Sequence, residues 1–423
     1  MLNRNYNFLK FIFSNDTPNI IISKELINKT VHSKLVTGLR ELITNASDYA
    51  QERLVNLLEG KFSLNTSSQT SGKENVNQNN SMLNNINNNN HGLEKLSSND
   101  FISLSNLIDQ FIIDFDQIAY NNTINNNMNK KSSSLRIWLQ NQANKFLHKF
   151  HSEKKDKLTL ALNSERWKQI EIPIEIQNLV DHIIKNGLGN NQVLTKKNDL
   201  KSNSTSNGDY VIVNNEKYVI FGTVIVLIKL MVEYSQYVID IPTMSFDALN
   251  RIIELFKTFN AKSYQMILGA GAVDQKVLKL ITFKTLALTY RSLELILVLL
   301  PVLKDFFRDR IPQDKQPNLE KLFNQLTKDY NEHKLELNNK LIFMIDDIFR
   351  ELLSKYEVIA PVPSQCFRSI CQQLLRIHEI TSEIFNDSTL VKMFTEIHSK
   401  FKQRLGDRLK ELNVVNDGGP QHA

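Results

Sequence analysis

Hydrophobic positions recur at three- and four-residue steps over most of this chain, and that period is typical of amphipathic helices. The longest of the C-terminal helices that this pattern predicts, at 319–356, would be roughly 55 Å long at 1.5 Å per residue. Pro301 is expected to kink the helix that contains it, and Ser245 is a candidate N-cap. The pattern predicts helices at residues 24–58, 101–119, 132–162, 221–239, 245–268, 277–310, 319–356, 367–377 and 390–412.

One segment has a strand pattern instead. Residues 210–213 and 217–220 are rich in Val, Ile and Tyr, and they flank Asn214, Asn215 and Glu216. Because Asn tolerates a positive φ, this short loop predicts a β-hairpin. An isolated hairpin is only marginally stable in water, so we expect it to lie against the helices that follow. The predicted fold class is all-α: elongated stacked helical bundles with one small β-hairpin.

Polar stretches divide the chain. Residues 63–90 are dominated by Asn, Ser and Gln, and they hold too few large apolar side chains to offset the entropy of ordering. A second, shorter insert of this kind covers 121–134. The predicted organisation is an N-terminal helical segment (1–62), a disordered insert (63–99), a helical bundle (100–186), a linker (187–209) and a C-terminal helical-bundle domain that begins with the hairpin (210–423).

Composition supports long helices and narrows the function. Only 13 glycines and 9 prolines occur in 423 residues, too few for the many turns of an all-β protein. The net charge of +6 leaves nucleic-acid binding as an alternative, but acidic residues are interspersed almost everywhere, and such binding needs a contiguous basic face. The apolar runs at 219–228 and 295–303 are about half a membrane span, which predicts buried core helices and a chain at most peripheral to a membrane.

Few residues suggest chemistry. Gly269-Ala270-Gly271 resembles the start of a dinucleotide fingerprint, but it follows a helix and lacks the third glycine, so a tight helix-to-helix turn is predicted. Cys366 and Cys371 lie five residues apart, which suits neither a zinc nor a redox motif, and both are predicted to be core residues.

The helical His and carboxylate clusters are predicted to be solvated surfaces. His148 and His151 could share one helix face, but no matching ligand pair stands out elsewhere. Asp346, Asp347 and Glu351 lie beside basic residues, which favours an exposed salt-bridged face over a general acid–base pair. The cations of the last helix, which scatter around its axis, are also predicted to be solvated: Lys392, Lys400, Lys402, Arg404, Arg408 and Lys410. The sequence thus predicts no catalytic, cofactor or metal site, and an enzyme remains an alternative only if these groups converge in a cleft.

Several ordered strings carry a resemblance. They are KFLHKFH (145–151), KKDKL (154–158), ERWK (165–168), FGTVIVLIK (221–229), QMILGAGA (265–272), KYEVIAPVPS (355–364) and LNVVNDGGPQ (412–421). In this succession they closely resemble the vacuolar protein sorting-associated subunit fifty-four family, most strongly over 210–421.

The resemblance implies a non-enzymatic subunit of the Golgi-associated retrograde protein (GARP) complex, which tethers endosome-derived vesicles at the trans-Golgi network. It implies as partners the other GARP subunits, SNAREs through an N-terminal coiled-coil region, and the endosomal or Golgi membrane surface, reached from the cytoplasmic side as a peripheral protein. No cofactor and no nucleic acid are implied. Because that coiled-coil region has no counterpart here, the resemblance also suggests a fragment or a truncated gene model.

Polar loops are where a scaffold would display recognition. The candidate surface for partner binding or membrane recruitment is therefore the segment after the long helix together with the C-terminal tail. Its residues are Lys355, Tyr356, Pro361, Pro363, Asn413, Asn416, Asp417, Gly418, Gly419 and Pro420.

Overall fold

The computed structural model describes residues 29–58, 98–120, 134–189, 208–357 and 364–412. The chain forms two compact units, residues 1–149 and 150–423. The described residues form eleven helices and one two-stranded antiparallel sheet, which confirms the all-α class with a small hairpin. The predicted insert at 63–90 lies outside the described residues, as does the insert predicted at 121–134 except for Ser134, which begins a helix. The predicted domain boundaries stay a prediction.

The first unit contains helices α1 (Lys29–Leu58) and α2 (Ser98–Tyr120) and the first part of α3 (Ser134–Asn163). All three were predicted within a few residues. Phe101 of α2 stacks on Phe146 of α3 with ring centroids 4.8 Å apart. The core consists of buried side chains from α2 and α3 with α1 packed against them: Ile108, Ile112, Leu135, Trp138 and Leu139, flanked by Leu54, Val55, Leu58, Leu104 and Phe111.

The second unit contains the rest of α3 and the C-terminal helices. The elements in order are α4 (Ile174–Asn186), β1 (Val211–Val213), β2 (Glu216–Tyr218), α5 (Gly222–Asp240), α6 (Ser245–Ile267), α7 (Gly271–Asp274), α8 (Phe283–Arg308), α9 (Gln316–Ser354), α10 (Gln365–Ser382) and α11 (Asp387–Glu411). Single 3-10 turns, Pro242–Met244 and Gln313–Lys315, precede α6 and α9. Helix α9 has 39 residues and buries one side chain every three or four positions, as its pattern predicted.

Asn214 and Asn215 form the turn of the hairpin. Asn214 and Asn215 have φ of 49° and 65°, so they form the two-residue turn that matches strand twist. Val213 pairs with Glu216, which corrects the prediction that Glu216 belongs to the loop. The amide side chain of Gln177 in α4 bonds both the N–H and the carbonyl of Ile212, so α4 covers the free edge of β1.

Several helix ends differ from the predictions. Helix α4 was missed because Pro173 suggested a boundary, whereas Pro173 is the N-cap of that helix, where its missing N–H costs nothing. Ser245 is the first residue of α6, not its N-cap, and its hydroxyl donates to the Pro242 carbonyl. Helix α8 begins at Phe283 rather than at 277 because the Thr282 hydroxyl accepts from the Thr285 N–H, 3.2 Å away.

Helices α5 and α8 are, among the described residues, long and apolar enough to cross a membrane by length and composition. In this structure 61% and 67% of their apolar windows are buried inside the protein. Helix α8 also carries Arg291, a charged residue whose partners lie on the hairpin and on α8 itself. Both are therefore core helices, as the sequence predicted.

Candidate functional site at the ends of helices α9 and α11

Two residues of the predicted recognition surface are described, Lys355 and Tyr356, directly after the end of α9. Tyr356 is buried, and its ring lies 5.1 Å from that of Phe367 in α10. Lys355 is exposed, and its ammonium pairs with Glu351 at 3.0 Å. The remaining residues of this surface lie outside the described residues: Pro361, Pro363, Asn413, Asn416, Asp417, Gly418, Gly419 and Pro420.

Arg408, a residue of α11, binds the end of α9. Its Nη2 donates to the backbone carbonyls of Ser354 (3.0 Å) and Tyr356 (3.2 Å). These carbonyls belong to the last residue of α9 and to the second residue after the helix, where no intrahelical donor is available. The ring of Tyr356 is buried within this junction, and the recognition surface that includes it stays a prediction.

A bidentate ion pair joins the same two helices two turns earlier. Arg404 of α11 donates from Nε to Oδ1 of Asp346 at 2.8 Å and from Nη2 to Oδ2 at 2.5 Å. These bonds hold the pKa of Asp346 below its ordinary value, against the opposing effect of burial. Asp346 is therefore a buried interhelical anchor, which corrects the prediction of an exposed carboxylate. Asp347 pairs with exposed Arg350 at 3.1 Å, as the salt-bridged face predicted.

Aromatic rings fill the space between these polar anchors. Phe401 of α11 lies edge-on to Phe349 of α9, with centroids 5.3 Å apart, and 6.3 Å from Phe367 of α10. The ends of α9, α10 and α11 thus form one packed junction. Its buried or partly buried charged groups, Asp346, Arg404 and Arg408, are engaged in holding the helices together.

The other predicted cations of α11 divide in the same way. Lys392, Lys400, Lys402 and Lys410 are exposed, which confirms the prediction of a solvated face for them. Arg404 and Arg408 are partly covered and paired, so the prediction was wrong for these two.

His151 and its partners form a buried cluster in the second unit. Its Nδ1 lies 2.7 Å from the Tyr234 hydroxyl of α5, and its Nε2 lies 3.3 Å from Oε2 of Glu254 in α6. Burial lowers the pKa of His151, and Glu254 opposes that shift. His151 and Tyr234 are both buried, and with Glu254 they connect the three helices α3, α5 and α6. His148 is exposed as predicted, whereas the prediction of a solvated position was wrong for His151.

The two cysteines and the Gly269 turn are the remaining residues that the sequence analysis considered for chemistry. Cys366 is buried, its thiol lies 3.1 Å from the Leu352 carbonyl, and burial raises its pKa; Cys371 is exposed, contrary to the prediction of a core residue. Within the described ranges no group of three or more His, Cys, Asp or Glu residues is arranged to hold a metal ion. Gly269 is in a tight turn as predicted, because a Cβ there would lie 2.7 Å from the Gln265 carbonyl oxygen.

Two buried polar networks were not predicted from the sequence. Glu165 accepts bonds from the N–H and the hydroxyl of Thr223, both at 2.7 Å, and so satisfies donors at the start of α5. Arg291 of α8 binds Glu216 of β2, Glu294 and the Lys217 carbonyl. Apart from Glu294, which is three residues from Arg291, the partners lie 58 and about 75 residues away in sequence, so local spacing could not have predicted them.

Comparisons with known proteins agree on one family. Residues 215–347 match the family model described as Vps54-like protein. The chain is 38% identical over 404 residues to vacuolar protein sorting-associated protein 54 of Mus musculus and 37% identical over 404 residues to that of Homo sapiens, covering 95% of this chain in each case. The Drosophila melanogaster protein is 28% identical over 407 residues. A solved structure described as the Vps54 C-terminal domain is 43% identical, matching 25% of this chain and 75% of that chain with a TM-score of 0.22.

The chain spans 37% of the length of the mouse and human proteins. Within that span the alignment covers 95% of this chain, and the family model independently matches β2, α5 to α8 and most of α9. The chain therefore belongs to the Vps54 family.

Proposed function

We propose that this chain acts as part of a GARP-type tethering subunit, which captures endosome-derived vesicles at the trans-Golgi network during retrograde transport. The observation that carries the proposal is the 37–38% identity to the mouse and human proteins across 95% of the chain. The partners that follow are the other subunits of the complex, SNAREs, and the membrane surface of endosomes and the trans-Golgi network.

The structure supports a non-catalytic role within that subunit. The polar groups that could have served chemistry are engaged in holding helices together: His151 between α3, α5 and α6, Asp346 between α9 and α11, and Arg291 between α8 and the hairpin. A tether has to keep its binding surfaces in a fixed arrangement, and paired buried charges between helices specify such an arrangement at the cost of a desolvation penalty.

A chimera tests the pathway. The aligned segment of the mouse protein would be replaced by this chain in cells that lack their own Vps54. We expect the chimera to co-purify the other GARP subunits and to restore the return of a retrograde cargo to the trans-Golgi network. Normal expression and co-purification without restored cargo return would contradict the proposed tethering role of this segment.

A deletion tests the predicted recruitment surface separately. We propose that residues 413–423, which contain the tail part of that surface, support membrane recruitment of the chimera. Removing them should reduce the membrane-bound fraction in cell fractionation while co-purification of the other subunits is retained. A matched deletion of residues 63–73 in the Asn-rich stretch is the control, and unchanged recruitment after the tail deletion would overturn this surface.

A further inference from the structure

Helices α9 and α11 run in the same direction and leave a groove between them. Asn338 of α9 donates to Glu396 of α11 at 2.9 Å, and Asp346 pairs with Arg404; both pairs are 58 residues apart in sequence, so the two helices advance together. The groove has a volume of about 610 Å³ and is lined by Asn339, Ile342 and Phe343 of α9 and by Thr395, Ser399 and Lys400 of α11.

The α9 bank of this groove is apolar. Leu335 and Phe343 are 58% and 51% exposed, and they are eight residues apart on the face that also carries Asn339 and Ile342. Eight residues correspond to about 12 Å along a helix. Single exposed hydrophobic residues are ordinary, but these two share one groove wall, where the exposed Asn339 lies between them and the buried Ile342 lies beside Phe343.

The α11 bank is basic. Lys392 and Lys400 are exposed and also eight residues apart, and neither has a carboxylate within 4.0 Å among the residues that the structure describes. Two carboxylates also line the groove: Arg404 neutralises Asp346, whereas Glu396 accepts from the neutral amide of Asn338 and keeps its charge. Two lysines against this one carboxylate leave the α11 bank with a net positive charge.

We propose that the α9–α11 groove binds a helix of another protein, about three turns long, whose apolar face is bordered by a row of acidic residues. Its apolar side chains pack on Leu335 and Phe343. Two carboxylates seven or eight positions apart meet Lys392 and Lys400. An amphipathic helix laid into a groove in this way is anchored by residues at helical spacing, and the charges fix its orientation.

The groove favours a helix over a membrane. A bilayer surface is flat on this scale and would contact the outermost side chains of both helices while leaving the space between them unfilled. A helix is about 10 Å wide with its side chains, so it can reach the floor at Ile342 while contacting both banks. The segment from 335 to 346 is roughly 17 Å long, enough for three turns.

Fluorescence anisotropy with labelled peptides tests the proposal on the full chain. The probe is a synthetic amphipathic peptide of about sixteen residues with one Leu face and an adjacent row of Glu residues. A control peptide has Lys in place of each Glu. We expect the Glu peptide to bind, and the combined substitution Lys392→Glu and Lys400→Glu to weaken it by about tenfold or more. The Lys peptide should bind this charge-reversed chain better than the unmodified one.

Two control substitutions separate the groove from general surface effects. Lys402→Glu reverses an exposed charge on another face of α11, and Leu375→Ala truncates an exposed apolar residue of α10; neither should change binding. Phe343→Ala should weaken the Glu peptide. Equal binding of both peptides, or equal losses in the control variants, would overturn the proposal.

A vesicle-binding assay tests the alternative that this surface contacts a membrane. If vesicles containing phosphatidylserine bind through Lys392 and Lys400, independently of Phe343, and the Glu peptide does not bind, the groove is part of an anionic-surface contact and the proposal is wrong. This inference does not depend on the GARP pathway, because the peptide assay measures the groove itself and the chimera measures transport.

Discussion

Arg291 offers the sharpest test of how this fold is held together. Its side chain is 2% exposed, in the middle of the apolar helix α8, where an unpaired charge would not be tolerated. It donates to Glu294 at 2.6 Å, to Glu216 at 2.7 Å and to the Lys217 carbonyl at 2.5 Å, and its guanidinium lies 4.1 Å from the centre of the Tyr218 ring. One residue thus fixes the hairpin on α8.

The perturbation is Arg291→Met, which keeps much of the apolar stem and removes the charge. Removing one member of a buried ion pair costs about 3–5 kcal/mol because the other member is left uncompensated. Here Glu216 retains bonds from Tyr218 and Asn386, and Glu294 retains Lys334 at 2.8 Å. The Lys217 carbonyl loses its donor. We therefore expect the low end of that range, about 3 kcal/mol.

Arg350→Met is the matched control. Arg350 also contacts two carboxylates, Asp346 at 3.4 Å and Asp347 at 3.1 Å, but its side chain is 57% exposed. Solvent screens such pairs, and we expect a loss of less than about 1 kcal/mol. Arg291→Lys should lie between the two, because a single ammonium cannot bridge Glu216 and Glu294 as the guanidinium fork does.

Hydrogen–deuterium exchange in a urea series, followed by mass spectrometry of peptides from α8 and the hairpin, measures unfolding of the second unit alone. This matters because a chain of two units does not have to unfold in one step. Equal losses for Arg291→Met and Arg350→Met would refute the argument that burial makes the hairpin pair strong. A loss confined to the hairpin peptides would show that α8 does not need the pair.

Three further predictions use other buried contacts. Glu165→Ala leaves the Thr223 donors at the start of α5 unpaired and should cost about 2 kcal/mol in the same exchange assay, whereas an unchanged α5 would contradict the capping role. Gly269→Ala should destabilise the second unit by about 1–3 kcal/mol because its Cβ would meet a backbone oxygen; unaltered thermal unfolding would show that the turn relaxes freely. Burial lowers the pKa of His333 from 6.5 to about 4, so the stability from its neutral form is complete above about pH 6.5 and is lost as the pH falls toward 4. His333→Gln should flatten that part of the unfolding profile, and parallel profiles for the two proteins would rule out this histidine as the cause.

The helices and the hairpin could be predicted from the sequence because the signals that specify them, apolar periodicity and turn residues, lie within each segment. A run such as α9 repeats its apolar residues every three or four positions, and the pair Asn214 and Asn215 permits the turn without any distant contact. Helix α4 could not be found in this way: it has only 13 residues, and the proline before it suggested an end rather than a start.

The buried polar residues could not be predicted for the opposite reason. His151 and Asp346 occur in helical stretches with many charges, which normally form a solvated surface. Each is buried because a partner far along the chain satisfies it, Tyr234 at 83 residues from His151 and Arg404 at 58 from Asp346. Spacing within one helix contains no information about such a partner, so the same residues that suggested exposure prove to connect helices.

Two of the strings that carried the family resemblance are joined in the fold. ERWK supplies Glu165, which binds Thr223 of FGTVIVLIK, and the rings of Trp167 and Phe221 in the same two strings lie 4.8 Å apart. The resemblance in these two strings therefore covers residues that pack against each other. The residues of the α9–α11 groove lie outside every one of those strings, which is why resemblance gave no hint of them. A surface that selects a partner has to be found from exposed side chains and unmatched charges, as Leu335, Phe343, Lys392 and Lys400 were, and the peptide assay tests that kind of inference without relying on the family at all.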